Sequence, residues 1–352
     1  SAPDAPMSMG CIDCPDLGLC GGQTIDGSGF NCLDHCCGNS DTCQTVCPNA
    51  HIFADRLREV EGLDLTTRPA PSLAPPRCPA YLPMLYHGSA RERPYRGPAI
   101  AIPLYRFFDR AAACRFESIK AVAEAYRFDP GTALFLSGVA KDEEVERWWK
   151  LETRGRIQAI ANLRRLGVAM VTTPNFSLMV DRPRWDDFHS MRRIVRTYHE
   201  LVSEGQPAAL HVNGRARHDF ARWTEYVSAH SEVTHLAYEF TTGAKSTVRM
   251  LQHAAWLIEL AEGAGRRLGL VLRGGVQVAA LLSRHYDLSF IDSSPFEKAQ
   301  HREIATIGPD GQRRWLKRLT EVGEPVDAHF EENIRVSERW FEGMLSKFKL
   351  AA

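Results

Sequence analysis

AALHVNGRARHDFARWTEYVSAHSEVTHLAYEF, residues 208–240, decides the fold. It opens and closes on short apolar runs, AALHVNG (208–214) and THLAYEF (234–240), with helical spacing over 216–230 between them. Runs that stay apolar at successive positions, instead of alternating, suit strands covered on both faces. A helix between two such strands is the crossover that parallel pairing requires. The same unit repeats in both directions. AIAIPLY (99–105), TALFLSG (132–138), VAMVTTP (168–174), LGLVLRG (268–274) and LSFID (288–292) read as further strands, and helices are expected at 113–127, 142–165, 184–204, 246–263 and 276–286. This predicts the α/β class and a (β/α)8 barrel of TIM type, complete or slightly degenerate. An open doubly wound sheet is the alternative. No G-x-G-x-x-G follows the first strand and no G-x-x-x-x-G-K-[ST] occurs anywhere, so dinucleotide-binding and P-loop chemistry lack their mechanism.

The barrel is expected over 99–328, followed by HFEENIRVSERWFEGMLSKFKL (329–350) as one amphipathic helix in a C-terminal segment, 329–352. Its apolar face would be Ile334, Val336, Trp340, Phe341 and Leu345. Upstream, Asp64 to Pro98 carries TTRPAPSLAPPRCPAYLP and RERPYRGP. Proline at that density rules out a regular helix and predicts an extended connector lying on the main domain. HIFADRLREVEGL (51–63) has helical spacing and is read as closing a separate N-terminal module, residues 1–63.

A chain of 352 residues with 44% hydrophobic composition can bury a large core, which excludes global disorder. Lys+Arg and Asp+Glu both number 43, which argues against a bulk polyelectrolyte partner and leaves only a local basic groove for nucleic acid. No run approaches the roughly 20 apolar residues of a membrane span. The opening SAPDAPMSMG has neither the basic nor the apolar region of a secretory signal, so a cytoplasmic protein is the expectation.

Eight of the ten cysteines lie within the N-terminal module: Cys11, Cys14, Cys20, Cys32, Cys36, Cys37, Cys43 and Cys47, spaced C-x2-C-x5-C-x11-C-x3-C-C-x5-C-x3-C-P. The intervening residues, such as CGGQTIDGSGFNC, are too polar and Gly-rich to fold on apolar burial alone, so cross-links or metal must hold them. Disulfides require an oxidising compartment that nothing here indicates. Zinc would take four thiolate or imidazole ligands, with Cys11 and Cys14 as a knuckle and His35 in reserve. One or two iron–sulfur clusters account best for the thiolate count and for the terminal Cys47-Pro48. The spacing contains no ferredoxin C-x2-C-x2-C-x3-C-P run. Nor does it contain the C-x3-C-x2-C of radical S-adenosylmethionine enzymes, because Ala50 occupies the third ligand position after Cys43 and Cys47. Adjacent Cys36 and Cys37 project in different directions, which points to two sites, or to one four-cysteine cluster plus structural thiols.

In a parallel barrel the chemistry collects where strands end. Glu239 and Asp292 are the acid/base candidates, since each closes an apolar strand where desolvation raises a carboxyl's pKa. The structural alternative is that each is neutralised by Arg273 or Lys245. Asn175 and Asn213 are placed to orient a substrate or to cap the following helices. Thr242 and Lys245 in TTGAKS, with Arg273 and Gly274 in RGG, suit an anion such as phosphate. His211 lies inside a strand and reads as a hydrogen-bonded core residue. The basic runs RHDFAR (217–222), MRRIVR (191–196) and RRWLKR (313–318) read as solvated helix faces unless they converge on one groove.

Pro174, Asn175, Phe176, Ser177 and Leu178, followed by Asp181 and Pro183, resemble the Pro-Asx-Phe-Ser-Leu and Asp-x-Pro signature of an uncharacterised family of bacterial and mobile-element proteins. The resemblance spans about residues 168–215 and implies a barrel-like fold with no established activity. The functional expectation is an iron–sulfur barrel enzyme acting on a small anionic, phosphate- or nucleobase-bearing substrate at the strand ends. The rival is a nucleic-acid-binding accessory protein with a zinc module and a non-catalytic barrel.

Overall fold

The apolar strands divide their side chains between two cores. Leu82, Met84, Ala99, Ala101, Phe135, Met170, Ala209, Ala237, Val271 and Ile291 form one buried cluster. Their strand neighbours Tyr81, Ile100, Ile102, Leu134, Leu136, Leu210, Leu236, Tyr238, Leu270, Leu272 and Phe290 belong to the other. Successive residues of a strand point to opposite faces, so the first set fills the inside of a barrel and the second packs under its helices.

A computed structural model describes residues 55–349, except 57, 110, 112, 179–183 and 242–245. The strands are β1 (Tyr81–Pro83), β2 (Ala99–Pro103), β3 (Ala133–Ser137), β4 (Met170–Thr172), β5 (Ala208–His211), β6 (His235–Glu239), β7 (Leu268–Arg273) and β8 (Tyr286–Asp292). They form one parallel sheet in the order β1-β8-β7-β6-β5-β4-β3-β2. Tyr81, Leu82 and Pro83 pair with Phe290, Ile291 and Asp292. At the other side, Met84 bridges to Ala101 in parallel and the Leu85 N–H donates to the Ala101 carbonyl at 2.9 Å, which closes the barrel. The TIM-type (β/α)8 expectation therefore holds, and the open sheet does not.

Helices cover the outside: α1 (Ile119–Tyr126), α2 (Asp142–Trp149), α3 (Glu152–Arg165), α4 (Arg184–Ser203), α5 (Arg217–Ala229), α6 (Thr247–Ala264), α7 (Val276–Leu282), α8 (Ser294–Gln300) and α9 (Asp327–Lys349). Ser118 and Ser246 cap α1 and α6 through their hydroxyls. Asp219 accepts the N–H groups of Arg215 and Ala216 at 2.7 and 3.0 Å, fixing the turn from β5 into α5.

Three features depart from the sequence reading. The single helix expected over 142–165 is two, because Glu152 takes a left-handed φ of 55°. Arg156 holds the break: it donates to the Trp149 carbonyl at 2.9 Å, lies 4.2 Å over the Trp149 ring and pairs with both Glu200 oxygens at 2.7 Å. An unanticipated hairpin, β9 (Glu303–Ile307) with β10 (Arg313–Lys317), stands between α8 and α9. Asn333 of α9 clamps it, accepting the Ala305 N–H at 2.7 Å and donating to the Glu303 carbonyl at 2.9 Å. Finally, the barrel begins at Tyr81, inside the stretch read as connector.

The rest of that stretch is extended and docked on the barrel. Arg192 donates to the carbonyls of Val60 and Thr66 at 3.1 and 2.7 Å, and Arg222 donates to Leu63 at 2.7 Å. Thr67 then meets His230 at the far end of α5, Ala70 bonds Glu232, and Cys78 Sγ lies 3.5 Å from His235 Nε2 at the start of β6. The segment thus descends from the upper flank of α4 to the barrel base. Each hydrogen bond from a charged donor contributes about 1.5–3 kcal/mol, so the strap is a fixed part of the fold. On the opposite flank, Phe341 of α9 is fully buried and stacks on Phe290 at 4.8 Å.

Candidate active site at the mouth of the barrel

Glu239 follows the phase of Ala237 and so points into the barrel at the C-terminal end of β6. It is only 8% exposed. Its Oε2 accepts from Asn175 Nδ2 at 3.4 Å and its Oε1 accepts from the Thr241 N–H at 3.2 Å. Arg273 is its neighbour in the β6–β7 ladder. Burial pushes the carboxyl above its ordinary value, and the Arg273 charge and the Thr241 N–H offset that only in part.

The remaining groups reach the mouth from neighbouring strands. Asn213, beyond β5, donates through Nδ2 to Asn175 Oδ1 and to the Phe176 carbonyl, both at 2.9 Å. Its own carbonyl accepts from Trp223 Nε1 at 2.8 Å, which ties it to α5. Arg273 Nη2 donates to the Tyr86 hydroxyl at 3.1 Å. The result is a directional chain of donors, Asn213 to Asn175 to Glu239, beside a guanidinium and a phenol. A carboxyl held this way can take or give a proton, and the guanidinium next to it supplies fixed positive charge.

Four of the residues predicted from sequence, Glu239, Arg273, Asn175 and Asn213, therefore meet at one place. Tyr86 was missed because it follows β1, the strand hidden in the proline-rich stretch. Gly274 has a φ of 71°, and an added Cβ would meet Thr241 at 2.7 Å, so backbone conformation and packing account for this glycine without a ligand. Thr242 and Lys245, together with Asp181 and Pro183 of the signature, lie outside the described residues. So do Cys11, Cys14, Cys20, Cys32, Cys36, Cys37, Cys43 and Cys47. Among the described residues no three His, Cys, Asp or Glu side chains are grouped to hold a metal.

Asp292 is a correction. It shares the phase of Phe290, not of Ile291, and faces outward beneath α9 and β10. Its Oδ2 accepts from the Tyr81 hydroxyl at 2.8 Å and pairs with Arg313, while Oδ1 accepts from the Ser294 N–H at 2.9 Å. Arg313 in turn lies between the Trp315 and Trp340 rings, 4.9 and 4.5 Å from their centroids. This carboxylate is a structural charge held by Tyr81 and Arg313, while Arg273, one of the two expected partners, bonds Tyr86 instead.

His211 is a second correction. It is 2% exposed, and neither ring nitrogen has a hydrogen-bond partner, whereas the sequence suggested a bonded core histidine. Burial lowers its pKa to about 3, so the ring is neutral at physiological pH.

The basic runs do not share a groove. Arg192 and Arg222 bind carbonyls of the strap, and Arg193 takes both Glu146 oxygens at 2.8 Å. Arg217 pairs with Glu259, Arg314 with Asp310 and Lys317 with Glu303. Among the described residues no helix is long and apolar enough to cross a membrane. No protein-family model and no curated protein matches the chain.

Proposed function

We propose that this chain is a barrel enzyme acting on a small anionic substrate at the C-terminal mouth, with an N-terminal module carrying an iron–sulfur cluster. The observation that carries the first half is the convergence of Glu239, Arg273, Asn175, Asn213 and Tyr86 at the C-terminal end of the barrel. Arg273 and Tyr86 bind the anion, Glu239 exchanges a proton with the bound substrate, and the two asparagines hold Glu239 in place. A phosphate- or nucleobase-bearing compound is the substrate class the sequence suggested, and membership in the signature family is part of the same proposal. The module rests on its eight clustered cysteines, and thiolate ligation goes with a reducing, cytoplasmic setting.

A thermal-shift screen with phosphate, acetate and their hydroxylated derivatives tests the site without knowledge of the reaction. At least one anion is expected to raise the melting temperature of the wild type and not of Arg273→Met. Glu239→Gln should bind the same anion as tightly or more tightly, since it removes a neighbouring negative charge. If no anion stabilises the wild type, or if the shift persists in Arg273→Met, the proposal is wrong.

A further inference from the structure

We infer that Glu59, in the stretch that joins the N-terminal module to the barrel, is a positioning residue for Glu239 and acts through Trp149, Phe176 and Asn175. The inference rests on the reading of Glu239 as the titrating carboxyl of the site and names the contact by which the module bears on it.

Glu59 reaches two helices at once. Its Oε1 accepts from Nε1 of Trp149, the last residue of α2, at 2.6 Å, and its Oε2 lies 2.8 Å from Nε2 of the fully buried His189 on α4. The hydrogen bond to His189 holds the Glu59 carboxyl down at about 2 against the opposing effect of burial, so it is an ionised acceptor wherever Glu239 titrates. A hydrogen bond to an ionised acceptor is roughly twice as strong as a neutral one, and this one fixes the orientation of the indole.

The indole in turn walls the turn that follows β4. Phe176 is fully buried and meets the Trp149 ring edge-on, with centroids 5.7 Å apart and planes at 84°. Arg193 lies 4.2 Å over the same Phe176 ring and is itself held by both Glu146 oxygens. In a close-packed interior a ring boxed in this way follows any movement of the indole. The Phe176 carbonyl accepts from Asn213 Nδ2, and the residue before it is Asn175, whose Nδ2 donates to Glu239 Oε2 at 3.4 Å. That last contact is long for an N–H···O bond, so a small displacement of the turn strengthens or breaks it. A donor to a carboxylate favours the ionised form, and losing it raises the midpoint of Glu239. Asn175 is anchored by Asn213 as well, and by its own N–H on the Gly138 carbonyl at 3.2 Å, so Glu59 supplies one part of its positioning.

The infrared titration of the Glu239 C=O stretch, with the band assigned by Glu239→Gln in each background, tests this. Asn175→Ala is expected to raise the midpoint and sets the ceiling. Glu59→Ala and Trp149→Phe remove the same hydrogen bond, and each should raise it by on the order of 0.3 pH unit, about a twofold change in the protonation equilibrium. Deleting the Glu59 charge would by itself lower the midpoint, so a rise cannot come from that charge acting through space. Glu59→Gln keeps an oxygen acceptor for the indole N–H and should stay at or just below the wild-type midpoint. Glu59→Ala added to Asn175→Ala should shift it no further than Asn175→Ala alone. If the midpoint responds to Arg273→Met but not to Glu59→Ala or Trp149→Phe, Glu59 only clamps the chain to the barrel: the inference fails and the site stands. It fails equally if the two effects add, since they then do not run through Asn175. If the midpoint ignores Arg273→Met, the site reading fails and takes the inference with it. Should Glu59→Ala not fold, Trp149→Phe, alone and with Asn175→Ala, decides between the same outcomes.

Discussion

Asp292→Ala is expected to destabilise the fold by about 3–5 kcal/mol, the usual cost of stranding one member of a buried ion pair. The Asp292 side chain is 4% exposed and that of Arg313 is 11% exposed. Removing the carboxylate leaves the guanidinium between Trp315 and Trp340 without its counter-charge, and it also strips acceptors from the Tyr81 hydroxyl and the Ser294 N–H. The damage falls at the seam where β1, β8, β10 and α9 meet. Arg313→Met should cost a comparable amount, and the double variant Asp292→Ala/Arg313→Met should recover much of the loss, because no unpaired charge then stays buried. Chemical denaturation of the three variants checks this. A loss below about 1 kcal/mol for Asp292→Ala would mean that the pair behaves as a solvated surface bridge.

The second large effect concerns the cysteine module. Protein purified without oxygen is expected to be brown, to absorb broadly in the visible, and to contain iron and acid-labile sulfide in equal amounts. One [4Fe–4S] cluster corresponds to about four of each per chain. Exposure to air should bleach the colour and release both. Replacing Cys43 and Cys47 together should lower iron and sulfide in step. A colourless protein carrying zinc, with no labile sulfide, would overturn the cluster and favour the four-ligand alternative.

The parts of the fold that were legible in the sequence are those with long, uniform signals. AALHVNG and THLAYEF are apolar at successive positions because both faces of β5 and β6 are buried, and the helix between them has its own period. β1 had no such signal: YLP is three residues, flanked by Pro79 and ending at Pro83. Its pairing with β8 is a tertiary event that local pattern does not encode. The break before Glu152 is likewise invisible locally, since it depends on Arg156 meeting Trp149 and Glu200. The β9–β10 hairpin did carry a cue, the Pro309-Asp310-Gly311 turn between two short runs.

The site was half legible for a related reason. Glu239 and Asp292 look alike in sequence, each a carboxylate closing an apolar strand. What separates them is the phase of the alternation: Glu239 shares a face with Ala237 and Asp292 with Phe290. In a strand buried on both sides that phase leaves no trace in composition. Tyr86 was hidden differently, behind β1, whose three residues carry no apolar run of their own.

Glu239 is proposed as a poised carboxyl at a ligand site, unlike Asp292, which Arg313 holds in a buried ion pair. The infrared difference between wild type and Glu239→Gln, followed through the carboxyl C=O stretch across pH, measures its protonation directly. The midpoint should lie above the ordinary 4.5, because burial outweighs Arg273 and the Thr241 N–H. It should rise further in Arg273→Met, which removes a group that lowers it, and on binding an anion beside it. A midpoint at or below 4.5, unmoved by Arg273→Met or by any anion, would show Glu239 to be one more structural charge and would remove the basis for placing chemistry at the mouth.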